Sequence, residues 1–294
     1  GAMIGQVKPG AAQPLDNATE SGGGGMARRI NRVLITGAGG RIGGMLRTQL
    51  RGRYERLILS DIIPLKDIQP GEDVVTVDLK DGEAVRRACR DVDAIIHCGG
   101  NPRESPWPEI LEPNIIGSIN VWEAARHEGV DRVVYASSNH AIAFTRRSEM
   151  LDHRSAHRPD CRYGLSKAFM EDLAFLYAYK YGVRGFGMRI GSFTPRPVDA
   201  RALSTWISPR DMVQLVSVGL TADYIHEIVF GISRNKRAWW DNSNAYRLGY
   251  DPQDEAETYA DEVGHIVGDD PIAEEFQGSR FVSMEFTADP NDVP

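Results

Sequence analysis

Cysteine is scarce in this sequence and has no pattern: Cys89, Cys98 and Cys161 lack the spacing of a zinc site or a disulfide framework. Three such thiols suit a reducing cytoplasm. Long apolar runs are missing too, and none approaches the roughly 20 residues a membrane-spanning helix requires. Lys and Arg number 34 against 41 Asp and Glu, a net charge of −7, so neither nucleic acid nor an anionic membrane is an expected partner. No internal repeat or low-complexity stretch follows residue 25. What is present is a 294-residue chain with 41% hydrophobic residues, enough for one large core.

Residues 1–25 stand apart. Gly1-Ala2-Met3 resembles a scar of tag removal, and the polar stretch through Ser21-Gly22-Gly23-Gly24-Gly25 lacks the charged-then-apolar plan of a signal peptide. Disorder is expected there. The folded unit is expected over 26–267, with 268–294 as a C-terminal tail.

From Arg32 onward, short β-branched runs alternate with helical spacing, which predicts an α/β fold with a parallel sheet and crossover helices. The first run, Arg32–Ile35, leads into Gly37-Ala38-Gly39-Gly40-Arg41-Ile42-Gly43, after which Ile42, Met45, Leu46 and Leu50 share one helical face. Such a strand, glycine turn and helix start can seat a pyrophosphate on the helix N-terminus. Gly37, Gly40, Arg41, Ile42 and Gly43 are therefore candidate cofactor contacts, the alternative being a plain structural turn.

The second run ends in Asp61, about twenty residues on. An acid there accepts from ribose hydroxyls and repels a 2′-phosphate, favouring NAD over NADP. Arg41 pulls the other way. Strands expected at Val74–Val77 and Ala94–Ile96 bring Asp78, Leu79, Cys98, Gly99 and Gly100 to the same edge. A helix over Trp107–Glu128 carries Asn114. A strand over Arg132–Ser137 runs into Ser138-Asn139-His140, and one over Val183–Ile190 runs towards Ser192. Ligands of open α/β sheets bind past the carboxyl ends of the strands, where these residues gather. Beyond Thr194 the alternation loosens, and segments at about 192–210 and 232–267 are expected to cap that edge.

Tyr163 and Lys167 carry the chemistry. One helical turn apart, they share a face. The ammonium favours phenolate and is expected to pull the Tyr163 pKa down from about 10. That makes a general base for an alcohol proton.

In this order, the glycine loop, Asp61, Asn114, Ser138, Tyr163 and Lys167 resemble the extended short-chain dehydrogenase/reductase family, which includes the NAD-dependent epimerases and dehydratases. The likeness covers nearly everything from Arg32 to Tyr250. Asn114-Ile115-Ile116-Gly117, Ser137-Ser138-Asn139-His140, Arg189-Ile190-Gly191-Ser192, Leu203-Ser204-Thr205-Trp206 and Trp239-Trp240-Asp241-Asn242 are similar to the uronate dehydrogenases in particular.

The resemblance implies a Rossmann-type doubly wound sheet with a small C-terminal cap. It also implies NAD-dependent oxidation of a hexuronate at C1 to an aldarolactone. In it Tyr163 is the base, Lys167 holds the nicotinamide ribose, Ser138 positions the reacting oxygen, and Asn114 completes the catalytic group. Ser138, Asn139, His140 and Ser192 would hold sugar hydroxyls, and Arg201 the carboxylate. Two departures, Pro102-Arg103 and Phe193, keep a phosphorylated or sulfonated hexose open, with Arg103 as an added cation on the substrate wall. A nucleotide-sugar epimerase or dehydratase is a weaker fit. Asn139-His140 replaces the dehydratase Asp-Glu pair, and the C-terminal part is small. A non-catalytic NAD sensor would usually lack the Tyr or the Lys. A homo-oligomer paired through the Asn114 and Tyr163 helices is also expected.

Overall fold

A computed structural model describes residues 29–294, so the segment expected to be disordered lies outside the described residues. The first four strands are β1 (Arg32–Thr36), β2 (Arg56–Asp61), β3 (Glu72–Thr76) and β4 (Ala94–His97). β5 (Arg132–Ser138) and β6 (Arg184–Ile190) follow. After the two-residue pair β7 (Ser192–Phe193) and β8 (Trp206–Ile207) comes β9 (His226–Gly231). Seven strands form one sheet in the order β3-β2-β1-β4-β5-β6-β9, every pairing parallel.

Helices cover both faces, which is why the strands read as near-continuous apolar runs. Alternate residues of β1 face opposite ways. Val33 and Ile35 pack with Leu46 and Leu50 of α1 (Arg41–Leu50), while Leu34 joins Val85 of α2 (Gly82–Ala88) in the second core. α3 (Trp107–Ile110) and α4 (Gly117–His127) form one helical rod, joined by a π-helical turn over Leu111–Ile116. α5 (Arg162–Tyr181) lies beside α4 and completes the second layer. Past α6 (Ala202–Thr205), α7 (Pro209–Thr221) puts Met212, Leu215 and Val216 into the first core.

Strand order reverses beside β1, between β2 on one side and β4 on the other, and this opens a crevice at the carboxyl edge. β3 begins two residues earlier than the apolar pattern suggests. Glu72 looks like loop, but its buried carboxylate is held by Arg47 at 2.7 Å and Arg51 at 3.1 Å. Burial opposes its charge, yet these partners and the Gln69 amide hold the carboxyl down at about 2.

The cap differs more from expectation. After α8 (Ser243–Arg247), the helix expected near Glu255–Val267 is a 3₁₀ turn over Ala256–Tyr259 and a short α9 (Ala260–Val263). Residues 268–294, expected as a tail, pack against the carboxyl edge of the sheet instead. α10 (Pro271–Glu275) and α11 (Arg280–Ser283) flank Phe276 and Gln277, which have no exposed surface. Arg147 holds this segment by an ion pair to Glu274 at 2.8 Å and by donating to the Ala273 and Phe276 carbonyls. Among the described residues, no helix is long and apolar enough to cross a membrane.

Candidate active site

A cavity of about 1130 Å³ runs along the carboxyl edge from the glycine loop to α11. At one end Gly37 turns with φ +64°, where a β-carbon would stand 2.8 Å from the backbone of Cys98 and Gly99. A β-carbon on Gly43 would lie 2.1 Å from the Gly37 carbonyl oxygen, so the turn and the helix start fit only as glycines. Gly40 caps α1 without a side-chain bond, and the first turn holds no acidic residue, leaving its N–H groups for an anion. Asp61 Oδ2 accepts from Gly39 N (2.8 Å) and Oδ1 from Ile62 N (2.7 Å), which fixes the carboxylate at the cavity wall. Asp78, Leu79, Cys98, Gly99 and Gly100 line the same wall. A dinucleotide fits here on two counts: backbone approaches that only glycine allows, and a fixed acid at the ribose position. Arg41, weighed as a 2′-phosphate contact, instead reaches across the cleft and donates from Nη2 to the Phe193 carbonyl (2.9 Å).

Tyr163, Lys167 and Glu171 follow at four-residue spacing on one face of α5. Tyr163 and Lys167 line the cavity with Ser138, and Lys167 Nζ lies 5.5 Å from the Tyr163 ring centre while donating to the Ala136 carbonyl (2.7 Å). Burial pushes the Tyr163 pKa up to about 12, against the pull of a Ser138 hydrogen bond, with Cys161 and Asp160 adding to the rise. The expected lowering by Lys167 does not appear in the protein alone, where burial dominates and Ser138 supplies the opposing pull. Lys167 moves the other way, down to about 8, through burial that Cys98 and Glu171 only partly offset.

Asn114 sits on the π-helical turn, a distortion common at functional sites. It does not line the cavity. Its amide grips the Asn101 backbone (2.7 and 3.0 Å) and donates to Ser166 Oγ (3.1 Å), which donates to the Tyr163 carbonyl (2.6 Å). Asn114 thus ties the turn after Gly100 to the start of α5. Glu104, missed in the sequence, accepts from Tyr163 N (2.8 Å) and pairs with Arg162 (2.7 Å) to fasten the start of α5.

At the other end Arg201 is buried against Gln277, whose carbonyl accepts from both Nε (3.1 Å) and Nη2 (2.7 Å). Nη1 donates to Ser192 Oγ (3.3 Å), and Asn139, its amide oriented by the network, accepts from Nη2 at 3.0 Å. Among the described residues no carboxylate pairs with this guanidinium. Burial, reinforced by Arg147, lowers its pKa to about 10. Asn139 and His140 line the cavity, whereas Ser192 and Arg201 stand just behind Asn139. Arg103 is exposed and outside the cavity wall, which Pro102 occupies, so the expected second cation is not there. Phe281 also lines the wall, stacked on His140 at 4.2 Å and edge-on to Tyr163. In the sequence it is one of three phenylalanines, with Phe276 and Phe286, in a C-terminal stretch without helical period.

A glycine-cradled nucleotide cleft beside a Tyr-Lys pair defines a nicotinamide-dependent oxidoreductase of the Rossmann class. The NAD dependent epimerase/dehydratase family matches residues 33–227, and the chain belongs to that family. It is 48% identical to a uronate dehydrogenase of Pseudomonas putida, over 78% of this chain and 87% of that protein. A uronate dehydrogenase of Pseudomonas syringae is 44% identical over 86% of this chain and 94% of its own length. Among solved structures, the uronate dehydrogenase of Agrobacterium tumefaciens, a tyrosine-to-alanine mutant complexed with NAD, superposes with a TM-score of 0.83. That match is at 40% identity and covers 87% of this chain and 98% of the other.

Proposed function

We propose that this enzyme oxidises the C1 hydroxyl of a hexuronate, D-glucuronate or D-galacturonate, to the aldarolactone with NAD. The observation that supports the substrate is Arg201, a partly buried guanidinium with no carboxylate partner among the described residues, in contact with the cavity-lining Asn139. Guanidinium and carboxylate match as a two-point charged contact, and a carboxylate-bearing substrate offsets the cost of that buried charge. Neither arginine lines the cavity itself, but Arg103 is exposed whereas Arg201 touches the lining Asn139, so a phosphorylated or sulfonated hexose gains less support.

Tyr163 Oη takes the proton of the C1 hydroxyl, and Ser138 Oγ orients that oxygen. NAD, when bound, supplies the hydride acceptor and a positive charge that favours the Tyr163 phenolate. Lys167 adds a second cation, anchored by the Ala136 carbonyl so that it cannot swing away. Holding C1 and the base in register converts a two-body encounter into a first-order step. The three free thiols fit a reducing cytoplasm. Exposed Ile116, Ile119, Leu165, Leu176 and Tyr179 along the α4 and α5 region support self-association.

NADH formation with glucuronate, galacturonate, glucose 6-phosphate and sulfoquinovose, each with NAD and NADP, tests the reading. Turnover of glucose 6-phosphate with none of either uronate would sink it.

A further inference from the structure

Behind His140 sits a carboxylate that the reaction as described does not use. His140 Nδ1 is 2.7 Å from Asp160 Oδ2, and the Asp160 side chain has no exposed surface. Its other oxygen, Oδ1, is buried without a partner. The neighbouring backbone is packed tightly round this carboxylate. A β-carbon on Gly164 would stand 3.0 Å from Oδ1, and one on Gly278 would overlap Oδ2. Asp160 therefore has little room to turn, and its donors are the imidazole and the neighbouring Cys161 thiol. The ring itself is held on two sides, stacked on Phe281 at 4.2 Å and edge-on to Tyr163 at 5.9 Å. Nε2 has no partner among the described residues, although the ring lines the catalytic cavity.

We propose that Asp160 is a positioning residue that locks His140 as the Nδ1–H tautomer, so that Nε2 meets the substrate as an acceptor for one sugar hydroxyl. The inference rests on the hexuronate reading for its ligand, but the tautomer itself does not. A carboxylate accepts only, so the nitrogen facing it must carry the proton, and the remaining nitrogen of a neutral ring must accept. The sugar end then divides its labour. Arg201 reads negative charge, while His140 reads a neutral hydroxyl and rejects an analogue that cannot donate there. Gly278 precedes α11, so the backbone that carries Phe281 over the ring also closes on the carboxylate that orients it.

Two measurements test this. Nitrogen-15 correlation spectra of histidine-labelled protein, with the His140 signals identified by their loss in His140→Phe, should show the Nδ1–H tautomer and lose it in Asp160→Asn. An Nε2–H pattern in the unsubstituted protein overturns the proposal, whatever the substrate proves to be. In kinetics with glucuronate and NAD, Asp160→Asn should raise the sugar KM about tenfold, in keeping with a lost hydroxyl contact, with the KM for NAD unchanged. If Asp160 acts through His140, adding Asp160→Asn to His140→Phe should raise the sugar KM no further. Additive effects, or a rise in the KM for NAD of equal size, would mark Asp160 as merely structural and overturn the proposal. Should Asp160→Asn fail to fold, the tautomer spectrum of the unsubstituted protein and loss of discrimination against deoxy-glucuronates in His140→Phe decide the matter. Failure of the hexuronate reading would appear separately, as absence of uronate turnover in the unsubstituted enzyme.

Discussion

At the cofactor end of the cleft, Gly37 and Gly43 pack backbone against backbone, and Asp61 is held by the Gly39 and Ile62 amides. At the sugar end, Arg201 rests on the Gln277 carbonyl 76 residues away, and Arg147 reaches Glu274 across 127. The first region is made largely of main chain, from the β1-α1-β2 unit and the turn that follows β4. The second is made of side chains drawn from the two halves of the chain. Binding a cofactor common to many enzymes needs a fixed backbone shape, whereas choosing a sugar needs particular charges and hydroxyl partners. α5 stands at the seam and supplies Tyr163 and Lys167, so substitutions on either side should separate the two functions and those on α5 should strike their product.

The largest effect is expected at the seam. Tyr163→Phe removes the proton acceptor and should lower kcat about 1000-fold, while fluorescence titration with NADH finds cofactor affinity retained. Because burial holds Tyr163 near 12, its base form is scarce at neutral pH, so the oxidation rate should climb as pH rises from 6 towards 8. As pH passes about 8 Lys167 loses the charge that favours the phenolate, which should flatten the climb.

Next in size is Gly37→Ala. The left-handed φ and an immobile backbone 2.8 Å away leave no rotamer escape, so a loss of stability of about 3 kcal/mol is expected, with weakened NAD binding. Thermal unfolding with and without NAD measures both. Arg201→Ala should do the converse: the KM for uronate rises about 30-fold, near 2 kcal/mol for a charged contact, while the KM for NAD holds. If Arg201→Ala changed both constants together, the division between backbone end and side-chain end would fail.

That division also explains what could be read from the chain. Strand-glycine-helix spacing and Asp61 are local signals, fixed within one supersecondary unit, and the glycine turn and Asp61 lie at the carboxyl edge as that spacing implied. Six of the sheet's seven strands followed from alternating patterns for the same reason. Glu104, Asp160, Gln277 and Phe281 left no local signal, because each acts on a residue far away in the sequence. Residues 268–294 were hidden in this way: their short helices have too few turns for a periodic pattern, and their burial rests on Arg147 and Gln277. Asn114 was visible as a motif, but its job was not. Spacing cannot tell an amide that touches substrate from one that holds the wall in place.

The smallest predicted effect lies under the seam. Glu171, one turn past Lys167, is buried and accepts from Ser137 Oγ (2.7 Å), from Arg189 (2.8 Å) and from His157 Nε2 (3.1 Å). Burial opposes its charge, but His157, Arg189 and Ser137 together hold its pKa below the usual carboxylate range. That contribution is complete above a glutamate's ordinary value of about 4.3 and fades as pH falls through the lowered one. For His157 the sign is reversed. The Glu171 hydrogen bond raises its pKa in spite of partial burial, so its contribution is full below about 6.5 and is lost as pH rises through the raised value. His157 is half-exposed, and solvent screening keeps the term under about 1 kcal/mol. The denaturation midpoint should therefore slip slightly between pH 6 and 8, and His157→Gln should abolish that slope. Arg189 keeps Glu171 charged in that variant, so kcat and both KM values should stay near those of the unsubstituted enzyme. A clear fall in kcat would instead mean that the buried ion pair and the catalytic face of α5 move as one unit, and that the seam is less rigid than its packing implies.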